Sequence, residues 1–244
     1  MNKTQILIAA VIISIIGMRS AYLDFFEMVT SDPNEEFESK VKHGEIRQYT
    51  KDDRLKTIIN YDQGIKHGIS YLYHDDGKTV LLAMPYDKGK REGTSNKYYA
   101  NGKLYAATPY KNDKLHGIRK TYYSSGKLKA EIPYGYGVPG IGTKEYLMDG
   151  TEKLSIQITT RTSDNLIWLS TSESCKDPKF YIGRLIDDKF FDPVDPNIKL
   201  LLEEDGNFFI DTEVHTPSYL KYQDIICHCE SSQGNPIILK KRLF

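Results

Sequence analysis

The sequence repeats one short pattern almost unchanged in the stretches YYANGKLYAATPY, Tyr98–Tyr110, and YYSSGKLKAEIPY, Tyr122–Tyr134. Both stretches place two tyrosines, a small polar pair, Gly-Lys-Leu and a final Pro-Tyr in the same order. Repetition at a fixed spacing indicates an architecture of similar units that stack on one another.

A glycine marks the start of each unit and recurs at spacings of 24, 25, 24 and 25 residues. Five or six residues later comes a tyrosine or a tyrosine pair, and a turn residue follows soon after it. In the first unit Asp53 takes the place of the turn glycine. About five units of this kind cover residues 42–158. The repeat glycines are Gly44, Gly68, Gly93, Gly117 and Gly142 at the unit starts, with Gly77, Gly102 and Gly126 at the turns.

Each unit has the residue alternation of a β-hairpin. In the fourth unit Ala130, Ile132 and Tyr134 share one face of the return strand, and charged residues occupy the other. Asn-Gly and Asp-Gly pairs between the strands favour the positive φ angles of tight hairpin turns. The second unit is one residue longer, which predicts a β-bulge near Lys78–Thr79. Hairpins stacked in this way form one long antiparallel sheet, in which we interpret the starting glycines as the tight turns between units.

The pattern Gly-x-x-x-x-Tyr-Tyr-x-x-Gly-Lys-Leu at this period resembles the variant MORN repeat of bacterial proteins. The resemblance covers about residues 42–158 and is best in the units that start at Gly93 and Gly117. It implies a sheet of β-hairpins that binds proteins or, in eukaryotic relatives, lipids, and it implies no catalytic residues. Many members of this family are labelled as antitoxins of toxin–antitoxin systems. A toxin is therefore one protein partner that the resemblance suggests.

Tyrosine is the most distinctive residue of the repeats, because 14 of the 18 tyrosines lie between Tyr49 and Tyr146. Stacked units place equivalent tyrosines in rows, roughly 10 Å apart, and a face of Tyr, Lys and Arg suits contacts with a protein or a glycan. The other interpretation is that aromatic pairs across the strands only stabilise the sheet. The candidate binding residues are Tyr73, Tyr98, Tyr99, Tyr122 and Tyr123.

The first residues contain an apolar run from Ile6 to Met18 that only Ser14 interrupts. Its length matches the core of a signal peptide, and an extension to Leu23 would make a marginal membrane anchor. A buried N-terminal helix is the third interpretation. We predict residues 1–29 as a signal peptide or membrane anchor and residues 30–41 as a linker. The rest of the chain would then be exported to the periplasm or cell surface, in contact with the membrane if the anchor is retained.

The polar stretch Thr159–Asn165 ends the repeat pattern and predicts a boundary. After it, short apolar runs alternate with turn sequences such as CKDPK, DPVDPN and EEDGN. Frequent turns without a helical period predict that residues 166–244 form a small β-sandwich or barrel domain. The predicted fold class is all-β: an elongated antiparallel sheet of stacked hairpins, then this domain, with the hydrophobic helix at the N-terminus.

The chain has only three cysteines, which are too few for a disulfide framework. One bridge from Cys175 to Cys227 or Cys229 is possible in an oxidising compartment. No metal site is predicted. Cys227 and Cys229 would lie on one side of a strand and His228 on the other. The histidines before the repeat glycines lie in separate units, so at most a neighbouring pair could share an ion.

The predicted activity is binding rather than catalysis. The sequence has no GxSxG, no HExxH and no glycine-rich phosphate loop, so no catalytic residue and no cofactor is predicted. Basic and acidic residues number 33 each, which argues against a general electrostatic role on nucleic acid. We expect a non-enzymatic scaffold of the cell envelope that contacts a protein partner. The alternatives are an antitoxin or immunity protein, and an enzyme in the C-terminal domain.

Overall fold

The computed structural model describes residues 41–153, 155–172, 175–201, 203–204 and 207–243. Residues from Lys42 onward form one compact unit. The described residues contain one short helix, α1 (Pro217–Leu220), and no helix that is long and apolar enough to cross a lipid bilayer. The predicted N-terminal helix, with its signal-peptide or anchor role, lies outside the described residues.

The first half of the described chain forms one antiparallel sheet of 13 strands, which we call the repeat sheet. In chain order the strands are β1 (Gly44–Tyr49), β2 (Leu55–Asp62), β3 (Ile65–Lys66), β4 (Gly68–Tyr73), β5 (Val80–Asp87), β6 (Lys90–Arg91), β7 (Gly93–Tyr98), β8 (Leu104–Lys111), β9 (Lys114–Leu115), β10 (Gly117–Tyr122), β11 (Leu128–Gly135), β12 (Val138–Pro139) and β13 (Lys144–Glu145). Their order across the sheet is β1-β2-β4-β5-β7-β8-β10-β11-β12, with β3, β6, β9 and β13 paired to β2, β5, β8 and β11. Each unit is therefore a hairpin that lies beside the next one, as the repeat pattern predicts.

All four complete hairpins contain the same β-bulge near the end of their first strand. In the fourth hairpin Thr121 pairs with Ala130, but the next residue, Tyr122, pairs with Leu128. Lys129 is the extra residue of this bulge, so two residues of the return strand oppose one residue of the first strand. The bulge is therefore a constant feature of the repeat and does not explain why one unit is longer.

The bulge predicted near Lys78–Thr79 is wrong in position. In the second hairpin the bulge residue is Leu81, as in its neighbours, and the additional residue lies in the loop before it. In that loop the Asp76 carboxylate accepts hydrogen bonds of 2.9 Å from the backbone N–H groups of both Lys78 and Thr79. An aspartate that satisfies two backbone donors stabilises a longer turn without disturbing the strand register.

Two-residue turns connect the return strand of each hairpin to the short strand after it. In the first of these turns Gln63 and Gly64 have φ angles of 47° and 82°, and type I′ hairpin turns need positive φ at both positions. The interpretation of the starting glycines as these tight turns is wrong, because they lie further on, at the first residues of β4, β7 and β10. The equivalent turns are Lys88–Gly89, Asn112–Asp113 and Tyr136–Gly137.

The starting glycines of the third and fourth hairpins allow each of these hairpins to approach a proline of the previous one. Gly93 and Gly117 have φ angles of 98° and 115°, a region that side chains disfavour. A Cβ on Gly117 would lie 3.0 Å from the Pro109 ring, and one on Gly93 would lie 3.5 Å from the Pro85 ring. The repeat therefore needs glycine here for backbone conformation and, in the fourth unit most of all, for space.

The chain after the repeats forms a β-sandwich, one of the two architectures that the sequence predicts. The polar stretch Thr159–Asn165 lies in its first strand and the turn that follows. Side chains from both sheets share one buried cluster, with Ile167 and Phe208 from one sheet and Phe180 and Ile225 from the other. The strands are β14 (Ile158–Ser163), β15 (Leu166–Thr171), β16 (Lys176–Gly183), β17 (Lys199–Leu200), β18 (Glu203–Glu204), β19 (Asn207–Asp211), β20 (Asp224–Glu230) and β21 (Pro236–Arg242). The two sheets have the orders β14-β15-β19-β18 and β17-β16-β20-β21.

The fifth unit is truncated, and the chain around it joins the repeat sheet to the sandwich. Its first strand, β13, pairs with β11, and a single bridge between Tyr146 and Glu152 takes the place of a long hairpin. The ring of Phe190 lies against Gly135 and Gly140, where a Cβ would come within 2.6 and 2.8 Å of it. These two glycines therefore make the space that the Phe190 ring occupies.

Glu145 connects the last strand of the repeat sheet to the sandwich. It is buried opposite Ala130, and its carboxylate accepts hydrogen bonds from Ser231 Oγ and, at 2.6 Å, from Asn235 Nδ2. A buried carboxylate is stable only with such partners. The charge of Glu145 is therefore directed to the sandwich and away from the open part of the sheet.

Candidate binding surface

The strand register assigns the residues of the long strands to two faces of the repeat sheet, because directly opposed residues share a face. On one side, which we call the basic face, a continuous row crosses the sheet through Thr57, Leu72, Leu82, Lys97, Ala106, Thr121 and Ala130. On the other side, which we call the mixed face, the corresponding row contains Ile58, Tyr71, Ala83, Asn96, Ala107, Lys120 and Glu131.

The basic face carries a repeated pair of a cation and a tyrosine. Each cation stands two residues before the starting glycine of a unit, and its charged group lies 4.5 to 5.6 Å from the centroid of a half-buried ring. These distances are within the range of cation–π attraction. Because the pairs follow the repeat period, they form a row across the sheet. The pairs are Lys42 with Tyr61, Lys66 with Tyr86, and Arg91 with Tyr110.

Two more cations, Lys97 and Arg119, extend the basic face toward the fourth hairpin. The ammonium group of Lys97 lies 5.5 Å from the ring centroid of Tyr105. Burial lowers the pKa of Lys97, and the nearby charge of Arg119 lowers it further. Burial also lowers the pKa of Lys66. The face therefore holds positive charges that are partly removed from water and that repel one another.

Acidic partners are scarce on this face. Among the described residues, Lys66, Lys97 and Arg119 form no salt bridge, whereas Arg91 pairs with Asp113 at 3.1 Å. A cation that is partly desolvated and lacks a carboxylate partner is less stable than one in a pair. An acidic group that approached these three side chains would bind favourably for two reasons. The positive charges lack a carboxylate partner, and they are partly removed from water.

The mixed face has a different character, because it carries both acidic and basic side chains together with exposed apolar residues. Lys120 and Glu131 form a salt bridge of 3.0 Å in the central row. Ile69 and Ile118 are 44% and 51% exposed at the first strands of their hairpins. The whole chain has a formal charge of zero, but its charged residues are distributed unevenly between the two faces of the repeat sheet.

The predicted tyrosines do not act as one group. The hydroxyl groups of Tyr99 and Tyr123 donate hydrogen bonds of 2.7 Å to the backbone carbonyl oxygens of Tyr122 and Tyr146, each in the next unit. His74 makes the equivalent contact in the second unit, with Nε2 3.2 Å from the carbonyl oxygen of Tyr98. The second residue of each tyrosine pair is thus a structural link between neighbouring hairpins.

The first residues of the pairs, Tyr73, Tyr98 and Tyr122, are half-buried and alternate onto the mixed face. None of the five predicted tyrosines belongs to the cation–tyrosine row. The sequence contained a signal for that row, namely the basic residue two positions before the starting glycine in KHG, KHG and REG. Sequence reasoning missed it because the tyrosine partner lies 19 or 20 residues away along the chain.

The histidines that precede the repeat glycines are spread along one edge of the hairpins. His43 lies 3.4 Å from Asp62, and His67 lies 3.4 Å from Asp87. The ring of His116 meets the Tyr136 ring edge-on, with centroids 6.2 Å apart. Within the described part of the chain, no group of three or more His, Cys, Asp or Glu side chains could hold a metal ion.

The structure pairs Cys175 with Cys229 in a disulfide, which is one of the two bridges that the sequence allows. Cys227 remains a free thiol, buried in the sandwich, and burial raises its pKa to about 12. A thiol with so high a pKa is almost entirely protonated near neutral pH and is a poor nucleophile. Cys227 therefore contributes packing.

A cavity of about 460 Å³ lies on the sandwich surface. Its lining includes Arg184, Asp195, Lys199 and Gln223, and no serine, cysteine or histidine is among the lining residues. It therefore lacks the convergent nucleophile and imidazole base that would favour an acyl-transfer enzyme in this half.

Comparison with known proteins supports the repeat assignment. The family model described as MORN repeat variant matches residues 91–112 and 115–135. These residues cover the third and fourth units, where the sequence resemblance is also best. A comparison of the chain with curated proteins finds no match. The matched repeats suggest a binding or scaffold role, and the third and fourth units of the chain are similar to the MORN repeat variant.

Proposed function

We propose that this protein is a non-enzymatic MORN-repeat scaffold of the cell envelope that holds an acidic protein partner on its basic face. The observation that carries the proposal is the row of cation–tyrosine pairs. The row is continuous across three units, and the unpaired charges of Lys97 and Arg119 continue it.

The chemistry of this row suits a protein interface. Tyrosine and arginine are enriched at interfaces because they bury large areas and keep a polar group available. An acidic partner would supply the carboxylates that Lys66, Lys97 and Arg119 lack among the described residues. Charge complementarity of this kind increases the rate of association and selects the partner.

A protein partner fits the row better than a nucleic acid. Bases bind to such surfaces by stacking on exposed ring faces, whereas here a cation lies over each ring of the row. Equivalent tyrosines are two strand spacings apart, roughly 10 Å. In an extended polypeptide, side chains that are three residues apart have about the same separation.

Two observations support a location in the envelope. The apolar run near the N-terminus has the length of a signal-peptide core. The disulfide between Cys175 and Cys229 is of a kind that persists in oxidising compartments and is rare in the cytosol. Both features fit a chain that is exported before it binds its partner.

A pull-down from the native envelope with the full-length protein tests this proposal. Lys66→Gln combined with Lys97→Gln removes two charges of the basic face, and we expect the variant to lose most of the captured partner. Lys111→Gln combined with Lys114→Gln is the matched control, because both lysines are exposed on the mixed face. Circular dichroism checks that both variants keep their strand content.

Equal capture by the two variants would remove the basic face from the binding site. Recovery of nucleic acid in place of protein would also contradict the proposal. If the captured partner is a toxin whose effect is relieved by co-expression of this protein, the scaffold is an immunity protein or antitoxin, the alternative that the family resemblance suggests.

A further inference from the structure

The first strand of the repeat sheet, β1, is an edge of that sheet as far as the described residues extend. Among them it pairs with β2 on one side and with no strand on the other. The opposite end of the sheet is different, because Glu145 and the Phe190 ring connect it to the sandwich. An edge strand presents a row of backbone N–H and C=O groups that can pair with a strand of another chain. The edge at β1 is therefore a candidate interaction surface.

The first hairpin shows which backbone groups β1 presents at this edge. The N–H group of Thr50 donates a hydrogen bond of 2.8 Å to the carbonyl oxygen of Arg54, at the closed end of the hairpin. Successive residues of a strand direct their backbone groups to opposite sides, so Ile46 faces β2 as Thr50 does. The bulge does not change this alternation, because its extra residue lies in β2. Glu45 and Arg47 therefore direct their N–H and C=O groups away from β2.

The side chains of β1 are self-complementary in an antiparallel pair. Its sequence is GEIRQY, in which the exposed Glu45 and Arg47 flank Ile46. With a two-fold axis at Ile46, Glu45 of each copy lies opposite Arg47 of the other copy. Registers that join Glu45 to Glu45 or Arg47 to Arg47 place like charges opposite each other, which is destabilising. Charges on an edge strand often prevent pairing, but this alternation of sign favours pairing in one register.

We propose that two copies of this chain pair edge to edge through β1, in the antiparallel register with Ile46 at the two-fold axis. The backbone groups of Glu45 and Arg47 form the hydrogen bonds between the copies, and the carboxylate of one copy pairs with the guanidinium of the other. Within one strand these two groups already attract each other, with Oε1 and Nε 2.5 Å apart. Ile46 meets its counterpart at a position without hydrogen bonds, where side chains approach most closely.

This pairing joins two repeat sheets into one. Directly opposed residues share a face, so the basic faces of the two copies lie on the same side of the joined sheet. A partner with two acidic segments would then bind both copies with a gain in avidity. The interface uses one strand of six residues from each copy, which is smaller than a standard protein interface. We therefore expect a reversible dimer that forms at high protein concentration. The pairing does not depend on the proposed function, because Lys66 and Lys97 lie outside β1.

An exchange of charges on the full-length protein tests the pairing. Glu45→Lys and Arg47→Glu each place like charges opposite each other on both sides of the axis. Alone, each variant should dimerise about 5- to 30-fold more weakly than the wild type. An equimolar mixture of the two variants restores opposite charges at every pair, and a heterodimer should form with about the affinity of the wild type. Native mass spectrometry measures these populations when one variant carries nitrogen-15.

The mixture separates contact between copies from a defect within one chain. Neither variant regains its own ion pair between residues 45 and 47 in the mixture, so restored dimerisation must come from the other copy. Asp75→Lys and Lys111→Glu are matched controls, because they change the charge by the same amounts at exposed positions elsewhere. Both should dimerise as the wild type does. A wild-type dimer that the β1 variants do not weaken, or that the controls weaken equally, would overturn the proposal.

A pair of cysteine variants tests the register. In this register the two Ile46 Cα atoms lie about 4.5 Å apart, which a disulfide can bridge, so Ile46→Cys should give a covalent dimer on mild oxidation. Gln48→Cys lies on the same face but opposite Gly44 of the other copy, about 13 Å from its counterpart, and should remain monomeric. A covalent dimer of Gln48→Cys alone would contradict the proposed register. A wild-type protein that is monomeric at every concentration would overturn the pairing and leave the proposed function intact.

Discussion

The repeat sheet and the sandwich are built from similar strands, but different contacts hold them together. Among the described residues of the sandwich, one cluster of 13 buried apolar residues connects two sheets. In the repeat sheet the corresponding cluster has three members, Ala130, Ile132 and Tyr134, and several buried positions are small polar residues such as Ser70 and Ser95. The sandwich is therefore stabilised by a shared core, whereas each repeat depends on its neighbours.

This difference explains where the protein can expose functional groups. A sandwich must direct its large residues inward, because its stability comes from burial of apolar area between two layers. The repeat sheet obtains stability from strand pairing, hydroxyl–carbonyl links and cation–ring contacts. Its faces can then carry separate sets of charged and aromatic residues.

The largest effect is expected in the sandwich core. Phe180 is 1% exposed, and Phe180→Ala should lower the free energy of unfolding by about 3–5 kcal/mol, because it leaves a cavity. Ile118→Ala in the repeat sheet truncates a residue that is 51% exposed and should cost less than about 1 kcal/mol. Urea denaturation measures both. Equal losses of unfolding free energy in the two variants would contradict this difference between the sandwich and the repeat sheet.

The next effect concerns the covalent link in the sandwich. The bridge spans 54 residues, so Cys175→Ser with Cys229→Ser should lower the free energy of unfolding by about 2–4 kcal/mol through a less restricted unfolded chain. A reductant should destabilise the wild-type protein and leave the variant unchanged. The bridge would lose its stabilising role if thermal unfolding of the wild type did not respond to reduction.

A smaller effect is expected at the starting glycines. A comparison of two of them separates the cost of the backbone conformation from the cost of the steric contact. Gly44 and Gly117 have φ angles of 83° and 115°, so alanine is strained at both, by about 1–2 kcal/mol. A Cβ at Gly44 meets nothing within 4 Å, while one at Gly117 lies 3.0 Å from the Pro109 ring. We expect Gly117→Ala to destabilise more than Gly44→Ala in thermal unfolding. The reverse order would show that the proline contact adjusts freely.

The smallest effect tests the links between hairpins. Tyr99→Phe and Tyr123→Phe each remove one hydroxyl that donates to the next unit, and each should cost about 0.5–1.5 kcal/mol. Tyr98→Phe is the matched control on the mixed face and should be nearly neutral. Hydrogen exchange should localise the loss to the turns at Tyr122 and Tyr146. A uniform effect of all three variants would argue against these links.

Much of the repeat sheet could be predicted from the sequence, because hairpins depend on local chemistry. The alternation of Ala130, Ile132 and Tyr134 and the turn glycines specify strands and loops within about 25 residues. The candidate tyrosines were only partly informative. Their faces follow from alternation, but the use of the Tyr99 hydroxyl depends on the position of the next unit.

The sequence by itself determined the period of the hairpins, the face of each strand residue and the all-β class, since these follow from alternation and turn residues. The tertiary structure decided which cation lies over which tyrosine, which cysteine pairs with Cys175, and how Glu145 and Phe190 join the repeats to the sandwich. These contacts join residues 19 to 90 positions apart. Strand register and sheet packing bring such residues together, and no local pattern encodes those distances.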